Sequence, residues 1–286
     1  MTYLSILQDE PTFFIAVITV LGLMVGSFLN VVIYRLPEMM KRSWMSQCAE
    51  LRGEPIKAEA SFNLLMPRSN CPQCGHRIAV WENIPIISYI FLRGKCSQCH
   101  TRISLRYPFV EALTAFMSGY VAWHYGFSLT TFAILFFVWA LIALAAIDLD
   151  TQLLPDDITL PLIWLGLLVN LNNGLTDIQS AVVGAMIGYV SLWTIYWCFK
   201  LATGKEGMGY GDFKLLSAIG AWLGWHMLPI VILLSSFVGA IIGISLIIAA
   251  RLNKSIPIPF GPYLVGGAII ALFWGEKINQ MYFGLL

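Results

Sequence analysis

The chain is 286 residues long, 58% hydrophobic and 12% charged, with a mean hydropathy of +0.75 and a formal net charge of +1. Soluble domains carry about 25% charged residues, so this composition excludes an ordinary soluble globular protein and predicts a mainly α, polytopic membrane protein. The net charge by itself says nothing about partners, but its distribution does. Eleven of the 17 Lys and Arg residues lie between Arg35 and Arg106, and Lys200, Lys205, Lys214, Arg251 and Lys254 flank apolar segments further on.

The N-terminal stretch M-T-Y-L-S-I-L-Q-D-E has no basic residue. A cleavable signal peptide needs a basic start and a small-residue cleavage site, so the first apolar run is expected to stay as a membrane span over 12–36. Gly26, Ser27 and Asn30 fall near one face of that helix, which suggests close helix packing or a polar cavity. Arg35 and Pro37 are expected to mark its exit into the cytoplasm.

Residues 37–107 form the one long polar segment. It is basic, rich in Pro, and carries the spacing C-x2-C-x21-C-x2-C at Cys71, Cys74, Cys96 and Cys99. The positive-inside rule places it in the cytoplasm, where reducing conditions disfavour disulfides. Four thiolates at this spacing fit a closed, structural zinc site. His76 and His100 follow the two pairs closely and are expected beside the site or at the surface. The run from Asn83 to Leu92 is too short to span a bilayer. It is expected to pack under the zinc site or to rest at the membrane surface.

Seven further spans are predicted at about 108–125, 128–147, 158–172, 178–203, 213–224, 227–250 and 260–275, within a membrane domain of residues 108–286. The 158–172 and 213–224 segments are short enough to be tilted, re-entrant or buried in a bundle. Eight spans put both termini outside and every basic cluster inside, leaving only Lys277 on the far side.

That topology brings two acidic stretches to one membrane depth. I-D-L-D-T-Q-L-L-P-D-D follows the third span and holds Asp148, Asp150, Asp156 and Asp157, and G-M-G-Y-G-D-F-K opens the sixth and holds Asp212. Intramembrane acids are costly and point to function. Two close carboxylates share one proton and suit peptide hydrolysis, and the glycines before Asp212 let a substrate strand approach the backbone. The same acids also suit proton or cation transport, a hard cation such as Mg²⁺, or, for Asp156 and Asp157, the N-terminus of a helix.

Four motifs in order then identify a family. G-S-F-L-N-V-V-I-Y-R-L-P at 26–37, the cysteine region through R-Y-P-F-V-E at 71–111, I-D-L-D-T-Q-L-L-P-D at 147–156 and G-M-G-Y-G-D-F-K at 207–214 resemble the bacterial type IV prepilin peptidases. These are the bifunctional leader peptidase/N-methyltransferases of type IV pilus and type II secretion systems. The resemblance implies an aspartic endopeptidase of the bacterial inner membrane with Asp148 and Asp212 catalytic. Asp150 is the competitor to Asp148, and two residues on it faces another side of a helix.

The implied substrates are prepilins or pseudopilins, cut after glycine on the cytoplasmic side. The implied second step methylates the new N-terminal residue, usually Phe, from S-adenosylmethionine. No G-x-G-x-x-G follows a strand to supply a nucleotide-type fold for that donor. Gly94 and Lys95 are candidates near it, with a turn glycine and an ordinary basic loop residue as the plain alternative. Membrane lipid is the other expected partner, and nucleic acid is not expected.

Overall fold

The structure, a computed structural model, describes residues 8–54, 62–250 and 259–283. Lys57, Arg251, Lys254 and most of the N-terminal decapeptide used in the charge argument lie outside the described residues. Among the described residues there is no strand, only two isolated antiparallel bridges, Asn70 with Arg77 and Lys95 with Arg102. The helices are α1 (Pro11–Leu51), α2 (Ile87–Phe91), α3 (Arg106–Tyr125), α4 (Leu129–Thr151), α5 (Asp156–Asn170), α6 (Ile178–Thr203), α7 (Tyr210–Leu223), α8 (Leu228–Ala250) and α9 (Gly261–Phe283). Short 3-10 turns form at Val80–Asn83 and Trp225–Met227.

α1, α4, α6 and the stretch Trp225–Ser245 are long and apolar enough to cross a membrane, and the protein is a mainly α membrane protein. α5 and α7 have 15 and 14 residues, which at 1.5 Å per residue reach about 22 Å, short of the roughly 30 Å hydrocarbon core.

α1 does not stop at Pro37. It continues to Leu51, with Pro37 inside the helix. An internal proline removes one backbone hydrogen bond. The helix-forming residues that follow carry it on, helped by a Glu38–Arg42 pair one turn apart at 3.2 Å. α9 likewise runs past residue 275 to Phe283, and α4 runs past 147 to Thr151, so that Asp148 is helical.

The chain forms two compact units, Met1–Ala143 and Leu144–Leu286. In the first, α1 lies tightly against α3. A Cβ added at Gly22 would sit 2.5 Å from the Ser118 hydroxyl, and one at Gly26 would sit 2.8 Å from the Glu111 Cα. Small residues here let two backbones approach, as membrane helices require. Asn30 is buried and donates to the Tyr107 carbonyl at 3.1 Å. Arg35 is also buried. Its guanidinium donates to the carbonyls of Asn63, at 2.8 Å, and Pro67, and lies over the Phe62 ring. It holds the loop after α1 rather than marking a helix end.

The second unit is built around α7. Every residue from Asp212 to Leu223 except Lys214 is buried, Phe213, Leu216, Ile219 and Ala221 completely. α6 meets it through a glycine crossing. Gly184 and Gly220 each face the other's carbonyl so closely that a Cβ at either would overlap it, and a Cβ at Gly188 would lie 2.6 Å from the Leu216 carbonyl oxygen. α5 meets it through Trp222, whose indole N–H donates to the Leu162 carbonyl at 2.8 Å over Gly166.

The end of α7 is sealed by one side chain. Helix C-termini leave carbonyls without partners. The fully buried Asn170 donates to Ala221 O at 2.9 Å and Trp222 O at 3.0 Å. Its own amide oxygen accepts from the N–H groups of Leu175 and Thr176. Replacing Asn170 with Leu keeps the volume and strands four backbone groups, two of them on the buried residues Ala221 and Trp222. Thermal unfolding of the detergent-solubilised protein should then show a loss of at least about 2 kcal/mol, whereas an unchanged midpoint would mean that Asn170 does not seal the helix.

Candidate active site and thiolate cluster

In the second unit Asp148 and Asp212 come together. Asp148 lies in the last turn of α4 and Asp212 in the first turn of α7, and they are 5% and 7% exposed. Asp212 lies within electrostatic reach of Asp148. Asp150 is exposed, because two residues turn it to another side of α4.

Both carboxylates sit at helix N-termini, where unpaired N–H groups and the helix dipole favour negative charge. Asp212 is on the opening turn of its own helix. Asp148 reaches across to α9, where the Gly261 N–H donates to its Oδ2 at 2.9 Å. A Cβ at Gly261 would lie 2.7 Å from that same oxygen. Gly261 therefore belongs to the site, and reading the sequence for chemistry overlooked it. The available signal was F-G-P ahead of the last apolar run, a glycine beside a helix-starting proline.

The three glycines before Asp212 have different tasks. A Cβ at Gly207 would meet the Phe199 ring at 2.9 Å, and one at Gly211 would meet Leu154 Cβ at 2.7 Å. At Gly209 the nearest atom would be 3.9 Å away, so this is the glycine that leaves open space above the backbone. The loop is tethered by Lys200, which donates to Glu206 at 2.9 Å and to the Tyr196 hydroxyl at 3.1 Å. The Lys200 ammonium holds the Glu206 carboxyl below the usual carboxylate range. The buried Tyr196 packs edge-on against Phe213 at 5.8 Å and at a tilt against Tyr210 at 5.3 Å.

Asp156 and Asp157 occupy the first turn of α5, but Pro155 is the N-cap and no side chain caps the helix. Asp156 is instead paired with Lys214, whose ammonium lies 2.7 Å from both carboxylate oxygens. That pair joins the start of α5 to the turn of α7 that follows Asp212.

The four cysteines converge in the first unit. Their sulfurs all lie within 4.8 Å of one another, with Cys71 and Cys99 3.7 Å apart. Tetrahedral thiolates at a Zn–S distance of about 2.3 Å stand about 3.8 Å from each other, so the cluster has the size of a metal site. Two similar knuckles build it. The Cys71 N–H donates to His76 O and the Cys96 N–H donates to Thr101 O, and each pair is followed by a residue in the left-handed region, Gly75 at φ 71° and His100 at φ 56°. N–H groups of Cys74 and Gln73 lower the Cys71 thiol, and the Thr101 hydroxyl and N–H bring Cys99 down to about 6. The His76 backbone pulls Cys74 down, but desolvation and the neighbouring sulfurs outweigh it and push Cys74 up to about 11.

His100 turns the second knuckle, a conformation His adopts more readily than most residues. His76 lies 3.2 Å from Glu82 Oε2, which also accepts the Ala79 N–H. The Ser97 hydroxyl, that N–H and His76 together hold Glu82 below the usual carboxylate range. Gly94, at φ 66°, is buried against the Tyr89 hydroxyl, where a Cβ would lie at 2.7 Å, so turn geometry alone requires glycine there. Lys95 is exposed.

The connecting run does not pack under the cluster, for Ile87, Ile90 and Phe91 are 53%, 68% and 83% exposed. It is anchored at Ile86, whose N–H donates to the buried Glu111 carboxylate at 2.8 Å while its φ is 58°. A β-branched residue in that region is strained, and the bond to Glu111 holds it there.

Comparison with known proteins identifies the family. The bacterial peptidase A24 N-terminal domain matches residues 20–125, and the type IV leader peptidase family matches residues 135–244. A prepilin leader peptidase/N-methyltransferase of Stutzerimonas stutzeri is 53% identical over 283 residues, covering 99% of this chain and 98% of that one. The protein of the same name from Pseudomonas aeruginosa is 52% identical over 283 residues, covering 99% and 98%. That from Legionella pneumophila is 44% identical over 281 residues, covering 98% of each. No solved structure matches the chain. Matched along nearly its whole length by proteins of one name, and carrying a buried aspartate pair beside glycine-rich turns, the chain belongs to the type IV leader peptidase family.

Proposed function

We propose that this protein is a membrane aspartic endopeptidase that removes the basic leader from type IV prepilins or pseudopilins, cutting after glycine, and then N-methylates the exposed residue, usually Phe. The observation that carries the proposal is the burial of Asp148 and Asp212 together, with Asp150 left in solvent. The shared name of the relatives favours this over ion-coupled transport. In this reading residues 12–36 form the first span, 37–107 a cytoplasmic zinc-bearing segment, and 108–286 the membrane peptidase domain. Eight spans cross the bacterial inner membrane, with the zinc segment and both aspartates at the cytoplasmic face. There the exposed Ile87–Phe91 helix rests on the headgroups.

One carboxylate takes a proton from water as its oxygen attacks the scissile carbonyl, and the other donates a proton to the carbonyl oxygen. The resulting gem-diol returns one hydroxyl proton to the second carboxylate as its C=O re-forms, the C–N bond breaks, and the leaving amine takes up the first proton. Gly261 fixes the Asp148 carboxylate, and the open backbone at Gly209 lets the substrate strand approach Asp212. The methyl donor is S-adenosylmethionine, and Gly94 and Lys95 are the candidates near it. Zinc is the metal that best suits Cys71, Cys74, Cys96 and Cys99, closing the segment structurally and leaving no open coordination position.

Mass spectrometry of a prepilin incubated with detergent-solubilised protein and S-adenosylmethionine tests the proposal. Wild type should cleave after glycine and add one methyl group. Asp148→Asn and Asp212→Asn should each lower kcat at least about 10³-fold, with Asp150→Asn within a fewfold of wild type. An inactive wild type, or active Asp148 and Asp212 variants, would sink the peptidase reading.

Gly261→Ala pushes a methyl group onto Asp148 Oδ2, and a misplacement of this kind costs about 100-fold in kcat with little change in KM. A change confined to KM would contradict the positioning role. Metal analysis should return one zinc per chain, and Cys99→Ser should weaken zinc binding by at least about 100-fold. Full zinc content in that variant would remove the cluster from metal binding.

A further inference from the structure

The second unit contains a cleft of about 350 Å³ between α6, α8 and the start of α9. Its walls include Leu192 of α6, Ile232, Ser236 and Ala240 of α8, and Phe260 and Tyr263 at the head of α9. None of these side chains is charged. The α8 residues recur every four positions and so line one stripe of that helix. The space exists because the stripe turns small where it faces an aromatic ring. At Gly239, in the same wall, a Cβ would lie only 3.1 Å from the Tyr263 ring.

Two lining residues tie one end of the cleft to the aspartates. Phe260 precedes Gly261, whose N–H holds Asp148. Met208, also in the lining, stands four residues before Asp212. From there the stripe runs along α8 from Ala240 to Ile232, about 12 Å of helix, within the stretch long and apolar enough to cross a membrane. A chain leaving the carboxylates along this cleft enters the hydrocarbon, so it has to be apolar. The volume holds one or two large side chains, at the low end for ligand pockets.

We propose that this cleft receives the apolar side chain that follows the scissile bond, at the start of the substrate's membrane helix, and that Ser236, Ala240 and Ile232 set which side chains are accepted. The inference rests on the peptidase reading and adds the surface that selects the substrate. A lipid acyl chain is the competing occupant. It would give no coupling between the size of the cleft and the sequence of the substrate.

The test is cleavage kinetics on three prepilins that differ only in the residue after the scissile glycine, Phe, Ala or Trp. Ser236→Leu and Ala240→Trp narrow the cleft and should lower the Phe-to-Ala ratio of kcat/KM by at least about tenfold relative to wild type. Ile232→Ala widens it and should raise the Trp-to-Phe ratio at least about threefold, which decides the matter if the narrowing variants fail to fold. Ratios unmoved in all variants, with wild type active, overturn the assignment of the cleft and leave the peptidase standing. A wild type that cleaves none of the three overturns both.

Discussion

The second unit depends on placing two carboxylates inside an apolar bundle. An unpaired buried charge is costly, and the fold meets that cost with helix N-termini rather than with cations. Asp212 sits on the first turn of α7, and Asp148, at the unfavourable end of α4, borrows the first N–H of α9. Among the described residues no cation pairs with either carboxylate, since Lys214 is taken by Asp156 and Lys200 by Glu206. The proposed reaction requires both aspartates to exchange protons, which a tight ion pair would suppress.

The requirement spreads outward. To begin at the carboxylates and still be buried on every side, α7 has to be short, and a short buried helix exposes unpaired groups at both ends. Asn170 satisfies the C-terminal carbonyls, and Gly209 starts the helix without a side-chain cap. The glycine crossing with α6 and the Trp222 contact over Gly166 follow from the same geometry, because backbones must come close enough to leave no void around so short a helix.

The first unit rests on another economy of scale. The segment between α1 and α3 has little apolar interior among its described residues, and Val80, Trp81 and Phe91 are all exposed. Small segments of this kind need cross-links, and two knuckles of like backbone geometry bring four sulfurs together. The segment is fastened to its helices at two buried charged groups. Arg35 gathers loop carbonyls and Glu111 receives the Ile86 N–H. Both use charge-assisted hydrogen bonds, the stronger kind.

Much of this was legible in the residues. Long apolar runs marked the helices from α3 to α8 to within a few residues, because burial in hydrocarbon demands continuous hydrophobicity, whereas α9 runs eight residues past its expected end into a more polar stretch. The paired C-x-x-C spacing marked the sulfur cluster, since a knuckle is a local structure whose geometry a few residues determine. The acids stood out because charge is rare in such a chain. The continuation of α1 through Pro37 was not legible, for a proline signals a helix end whether or not its neighbours override it. Nor were Gly261 and Asn170, whose roles depend on partners 113 and 51 residues away. The sequence by itself determined the class of the fold, the helices and the residue types able to do chemistry. The tertiary structure alone decided which aspartate is buried beside Asp212, which glycine leaves room above the backbone and which backbone N–H holds Asp148. These are matters of long-range contact, and local pattern carries no record of which distant groups will meet.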